Sequence, residues 1–280
     1  MTMTEEEITT PIDVEEKPVL EVVKDTLTAL PDIEAAPTPA ELKPNFDVAA
    51  WTPKTELGRK VKSGEITTIV QALRTGERIM EAQITDILLP NMESDMLWIG
   101  QSRGKFGGGA RRLFKQTQKK TPEGNKPSFG TLAVIGNRDG IVGLGYGKSK
   151  DTVPSREKAL RNAKLNVFMI RRGSGSWESN TTEPHSIPFT IEGKCGSVRI
   201  KLMPAPKGKG LVIEPNCAKV LELAGIKDVW SKASGQTRRT RNLVMALEDA
   251  LRKLAVFKVS QKSRDATGVI EGPIIKEAGQ

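Results

Sequence analysis

The run GLGYGKS (143–149) ends in Gly147-Lys148-Ser149, residue types that hold nucleotide phosphates when four residues separate them from an earlier glycine. Val142 stands where that glycine belongs, and the run reads as strand rather than strand-to-helix loop. Nucleotide hydrolysis is therefore not expected. His185 is the single histidine, and Cys195 and Cys217 are the only cysteines. In EPHSIPF (183–189) the histidine reads as a structural hydrogen-bonding residue, with no second histidine or neighbouring thiol to complete a nucleophilic triad. The same three residues are too few for a Cys/His zinc site, and the thiols read as small, partly buried side chains. No catalytic residue, metal site or cofactor is expected, and the chain reads as no enzyme.

The strongest chemistry is electrostatic. Arg103, Lys105, Arg111, Arg112, Lys115, Lys119, Lys120 and Lys126 crowd one glycine-rich stretch, GQSRGKFGGGARRLFKQTQKKTPEGNK (100–126). Like charges at that density repel one another unless a polyanion neutralises them. Glycines 107–109 let the chain follow an irregular surface. Lys148 and Lys150 extend the set, and Arg171, Arg172, Lys207 and Lys209 complete the candidate RNA-binding residues. Gly143, Gly145 and Gly147 recur at period two and strip one strand face of side chains. Either a helix packs closely there or an RNA backbone approaches. With seven Phe, four Trp and one Tyr, no stacking platform for single bases is evident, so recognition should run through shape and phosphate.

Charge distribution supports a polyanion partner. The chain has 280 residues and a net charge of +9, but residues 1–50 hold 12 acidic and 3 basic side chains. The remainder holds 40 basic against 22 acidic, with 17 against 4 over residues 101–172. No uncharged apolar run reaches the 18 or so residues of a membrane span. The acidic first thirty residues lack the pattern of a signal or transit peptide, and two cysteines exclude a disulfide scaffold. A soluble protein of a reducing compartment is expected.

These residues need elements to hold them. Residues 1–50, with six prolines and no periodicity, read as a disordered acidic tail. It either shields the basic remainder before assembly or is simply solvated. Residues 51–92 read as a helical extension, with a helix opened by Thr52-Pro53, a second opened by the capping pair Thr68 and Gln71 and closed by Gly76, and an apolar piece at 84–92. Residues 93–172 form an α+β RNA-binding domain: a basic glycine-rich loop, strands at 129–135 and 141–146 joined by a Gly-Asn-Arg-Asp-Gly turn, then a helix over 154–170. Residues 173–257 form a second α+β domain after a Gly–Ser linker. Its strands are expected at 186–192, 197–203 and 227–234, and its helices at 215–224 and 238–255. Residues 258–280 read as a flexible tail.

Several runs, in this order, resemble the S-five family of small-subunit ribosomal proteins: TLAVIGNRDGIVGLGYGKSKDTVPSREKALRNAKLN (131–166), RRGSGSW (171–177), EPHSIPF (183–189), GKCGSVRIKLMPAPKGKGLV (193–212) and LAGIKDVWSKASGQTRRTRN (223–242). The wording is similar to the archaeal and eukaryotic branch. The resemblance implies a first domain related to the double-stranded-RNA-binding fold and a second α+β domain of a type shared with unrelated enzymes, whose activity does not transfer. It implies small-subunit rRNA as ligand where head meets body, messenger RNA at the entry channel, neighbours of the S-four and S-eight families, a part in assembly and decoding accuracy, and a ribosomal, cytoplasmic location. By motif match, Arg111 and Arg112 are the arginine pair before the hairpin. Lys148 and Lys150 are the basic end of the second strand, and Lys207 is the basic position of the Pro-Ala-Pro loop. KQTQKKTPEGNKPS (115–128) is interposed here, and Ser174, Ser179 and Thr181 stand where relatives carry cysteines. The competing function is a free double-stranded-RNA-binding protein acting off the ribosome.

Overall fold

The computed structural model describes residues 51–101, 109–179 and 181–273, so the acidic segment 1–50 lies outside the described residues. Three short helices come first: α1 (Glu56–Ser63), α2 (Ile69–Arg74) and α3 (Ala82–Leu88). α1 begins three residues later than the Thr52-Pro53 pair suggests. Thr55 is its N-cap and accepts from Gly58 N, because Thr55 and Lys54 are held extended by the carboxylate of Glu81, which accepts from both their amides at 2.7 and 2.9 Å. α2 carries the expected capping box between Thr68 and Gln71.

Strands β1 (Glu93–Met96), β2 (Gly100–Gln101), β3 (Arg111–Arg112), β4 (Phe114–Thr121), β5 (Gly124–Gly136) and β6 (Ile141–Ser149) follow, then α4 (Thr152–Leu165) and β7 (Val167–Met169). β1, β5, β6 and β7 build an antiparallel sheet in that order, with β4 paired to the projecting half of β5, while β2 and β3 pair with each other. The β5–β6 turn uses Arg138 and Gly140 at positive φ, as a tight hairpin requires. Side chains alternate on the sheet. Ala133, Ile135 and Ile141 pack with Ala159 and Ala163 of α4 and with Leu57, Ile69 and Ile84. Leu132, Val134, Val142 and Leu144 face the other way.

α4 stops at Leu165, five residues short of the expected end. Asn166 caps it, and its side-chain amide is engaged by Leu144 O, Glu248 and Arg252. Val167 and Phe168, β-branched and aromatic, then continue as sheet. The bare glycine face is covered: a methyl group on Gly143, Gly145 or Gly147 would overlap the α4 backbone at Ser155, Ala159 or Ala163. Helix packing accounts for the three glycines, and the alternative of an RNA backbone on that face is corrected.

The second half comprises β8 (Arg171–Arg172), β9 (Ile191–Cys195), β10 (Val198–Pro204), β11 (Leu211–Val212), α5 (Pro215–Leu223), β12 (Val229–Ser234), α6 (Thr240–Val256), α7 (Gln261–Thr267) and β13 (Ile270–Glu271). Its sheet runs β11-β12-β10-β9. Residues 186–190 are not strand, since Ser186 instead bridges Gly173 and bonds Asp228 O. Val198, Ile200 and Leu202 pack with Val220, Leu221, Leu247 and Leu251, in one cluster with Leu132 and Val142 of the first sheet. The two α+β halves thus share a core. The segment after 258 is also ordered as far as 273: Ser260 caps α7, and β13 pairs with β8. That corrects the flexible-tail expectation for those residues; 274–280 lie outside the described residues.

Candidate nucleic-acid interface

The expected loop around 115–128 is a two-stranded ribbon. β4 and β5 pair from Phe114↔Thr131 out to Thr121↔Gly124, and Phe114 and Phe129 meet edge to face at 5.7 Å near its base. Alternation of Lys, Gln and Thr offers no apolar face from which to read a strand, yet Thr117 and Ser128 bond across the strands through their hydroxyls at 2.9 Å. Both faces are exposed over Lys115–Lys120 and Gly124–Pro127. A free two-stranded ribbon is only marginally stable in water. This one also places Lys119 directly opposite Lys126, a like-charge pairing that costs stability. Among the described residues Glu123, 2.9 Å from Lys126, relieves it.

The remaining candidates divide. Arg111 and Arg112 are exposed on β3, with Glu214 at 3.9 Å from Arg111. Lys148 and Lys150 are exposed at the end of β6. Arg103 and Lys105 lie outside the described residues. Lys209 is exposed, whereas Lys207 is tied to Glu183 at 2.6 Å, and that contact holds the Glu183 carboxyl below its ordinary range. Arg171 and Arg172 require correction. Both are buried, Arg171 bonding Glu271 and the carbonyl oxygens of Leu254 and Phe257, and Arg172 bonding Asp139 and Gly272 O. Their guanidinium groups tie the C-terminal segment to the first sheet and are not offered to phosphate.

The Pro-Ala-Pro loop is fixed from beneath. Asp228 accepts from Gly208 N and Gly210 N at 3.0 and 2.8 Å through one oxygen, and faces His185 Nδ1 at 2.9 Å through the other. His185 Nε2 meets Ser174 and Ser179 at 3.3 and 3.4 Å. Buried as it is, the histidine serves hydrogen bonding. Cys217 is equally unreactive: burial first, then Glu214, pushes its thiol well above the ordinary range. Among the described residues, no group of three or more His, Cys, Asp and Glu is placed to hold a metal ion.

Sequence reasoning missed the cations opposite the ribbon. Arg238, Arg239 and Arg241 open α6, and with Lys115, Thr117, Tyr146 and Lys148 they line a cleft of about 250 Å³ between the ribbon base and the second half. Arg241 lies 3.8 Å from the centroid of the Tyr146 ring. The signal was available: a helix N-terminus favours acids, yet the first turn of α6 has none and Arg239, its N-cap residue, makes no side-chain capping bond. Three arginines there oppose the helix dipole and call for an external anion.

Residues 113–171 match the family model described as ribosomal protein S5, N-terminal domain, and residues 193–264 the model for its C-terminal domain. The small ribosomal subunit protein uS5 of Nanoarchaeum equitans is 45% identical over 231 residues, covering 82% of this chain and 99% of the relative. That of Methanocaldococcus jannaschii is 41% identical over 230 residues, covering 82% and 99%. That of Pyrobaculum aerophilum is 44% identical over 214 residues, covering 76% and 91%. With both domain models matched in order, and 41–45% identity to relatives over most of both chains, the chain belongs to the ribosomal protein S5 family.

Proposed function

We propose that this chain is a structural constituent of the small ribosomal subunit, working in the cytoplasm, that binds small-subunit rRNA through its basic ribbon and cleft. It sits near the head–body junction with its first sheet at the messenger entry channel, beside proteins of the S-four and S-eight families, and contributes to assembly and translational accuracy. Its action is steric and electrostatic, without bond chemistry. The observation that carries the reading is the β4–β5 ribbon: a two-stranded element exposed on both faces, with lysine opposite lysine, gains stability from a polyanion laid against it.

Sucrose-gradient fractionation of cell lysate tests this directly. The chain should travel with small subunits and shift with them when magnesium is withdrawn. Co-sedimentation with heterogeneous RNA instead would favour a free double-stranded-RNA-binding protein and overturn the proposal.

A further inference from the structure

Five cations line the cleft: Lys115 on β4, Lys148 on β6, and Arg238, Arg239 and Arg241 at the start of α6. None forms an ion pair with a described carboxylate, whereas Arg138, Lys164, Lys207 and Lys219 each have one at 2.6–2.8 Å. Cations left so close together repel one another, and a covalently attached anion relieves that as well as a bound one does. Three hydroxyl side chains line the same recess: Thr117, Tyr146 and Thr240. Two are committed. Thr117 meets the Ser128 hydroxyl across the ribbon at 2.9 Å. The Tyr146 hydroxyl fills the space that a Cβ on Gly130 would take, and Arg241 lies over its ring. Thr240 is half-buried, and its hydroxyl makes no hydrogen bond to a described residue. It follows Arg238 and Arg239 directly and precedes Arg241, at the end of a largely exposed turn over 235–239 that an enzyme can reach.

We propose that Thr240 accepts the γ-phosphoryl group of a nucleoside triphosphate from a protein kinase that reads basic side chains, and that the modification shuts the cleft to RNA in the free chain. The Thr240 oxygen forms a bond to the γ-phosphorus and the bond from that phosphorus to its bridging oxygen breaks. A nucleoside diphosphate leaves, and the hydroxyl proton passes to a carboxylate of the kinase. The product carries a charge of about −1.5 to −2 and three acceptor oxygens, which leaves the five cations of the recess with a net charge of about +3. Guanidinium groups hold such oxygens through paired donors. The recess, about 250 Å³ in volume, has room for them. RNA then meets an occupied and partly neutralised cleft. In the assembled particle RNA over the same cleft keeps the kinase away, so the modification belongs to the free pool. The loss of RNA affinity rests on the RNA-binding reading above; the acceptor chemistry does not.

The test separates the full chain from cell lysate into a free pool and a small-subunit pool on a sucrose gradient, then maps phosphate by mass spectrometry. Thr240 should carry phosphate in the free pool at an occupancy at least tenfold above that in the subunit pool. In binding titrations, T240E should hold small-subunit rRNA at least tenfold more weakly than T240Q, which has the same bulk without the charge. Its log K against log salt slope should be shallower by about 1 to 2, at ~0.9 for each lost phosphate contact. Urea midpoints of the two variants should agree; if they do not, phosphatase treatment of the free pool must by itself raise rRNA affinity. No phosphate on Thr240 in either pool, equal occupancy in both, or phosphate on Thr237 in its place would overturn the proposal. So would equal rRNA affinities of T240E and T240Q. Were the unphosphorylated chain to bind no rRNA, the RNA-binding reading would fall, and the phosphate map would still decide for or against Thr240 as acceptor.

Discussion

Arg171-Arg172 and Arg238-Arg239 are the same dipeptide with opposite fates. The first pair lies on β8, buried, bonded to Glu271 and Asp139. The second stands at the mouth of a cleft, exposed, with no described carboxylate in reach. The acids of the first pair come from residues 100 and 33 positions away in sequence, so its neighbours in the chain do not announce its burial. A buried arginine tied to a carboxylate and to backbone carbonyls holds the fold; an exposed one without such ties is available to a ligand.

The largest expected effect breaks the comparison on its structural side. Arg172→Ala should lower unfolding free energy by about 2 kcal/mol, because it removes a buried side chain that bonds Asp139 and Gly272 O, measured by urea titration, while Arg238→Ala stays within about 0.5 kcal/mol. Equal losses would dissolve the distinction. Next comes the ligand side. Replacing Arg111, Arg112, Lys119 and Lys120 together with Ala should weaken binding to small-subunit rRNA by tenfold or more and make its log K against log salt slope shallower by about 2 to 3. The urea midpoint should not move. An unchanged slope would remove these residues from the interface.

A smaller effect concerns a carboxylate that holds the fold without any cation. Burial tends to raise the Glu81 pKa, but hydrogen bonds from the Thr55 hydroxyl and amide, the Lys54 amide and the Trp51 indole outweigh it and hold the carboxyl below its ordinary value of 4.5. A depressed folded pKa stabilises above the unfolded value, and that stability is lost as pH falls through the folded one. The parent should therefore lose stability below about pH 4.5 more steeply than Glu81→Gln, as urea titrations at pH 3 to 6 would register. Parallel curves would refute it. Smallest of all, Lys148→Ala alone should change RNA affinity less than about twofold, being one exposed cation among several; a large loss would make it a dominant contact.

The legible parts of the fold were those with a period. The hairpin strands around residues 136–140, the Thr68–Gln71 cap and the helix opened by Pro215 all carry local signals that tertiary packing did not override. The glycines at 143, 145 and 147 announced a close approach, and the fold shows α4 making it. The ribbon was illegible because its strands have no apolar face. The extra strand β7 was hidden because Val167 and Ile170 continue the helical spacing of α4 past the Asn166 cap. Of the site, the ribbon lysines were read from charge density alone. Arg238, Arg239 and Arg241 needed the fold to bring them beside Lys148. Arg171 and Arg172 were misread because burial cannot be seen in a run of charge.

Lysine acetylation of purified small subunits, compared with the free chain, tests the central claim most directly. Lys115, Lys119, Lys120 and Lys126 should be labelled readily in the free chain and strongly protected in the particle, because an RNA backbone lies against them. Equal labelling of these four lysines in both states would contradict the account.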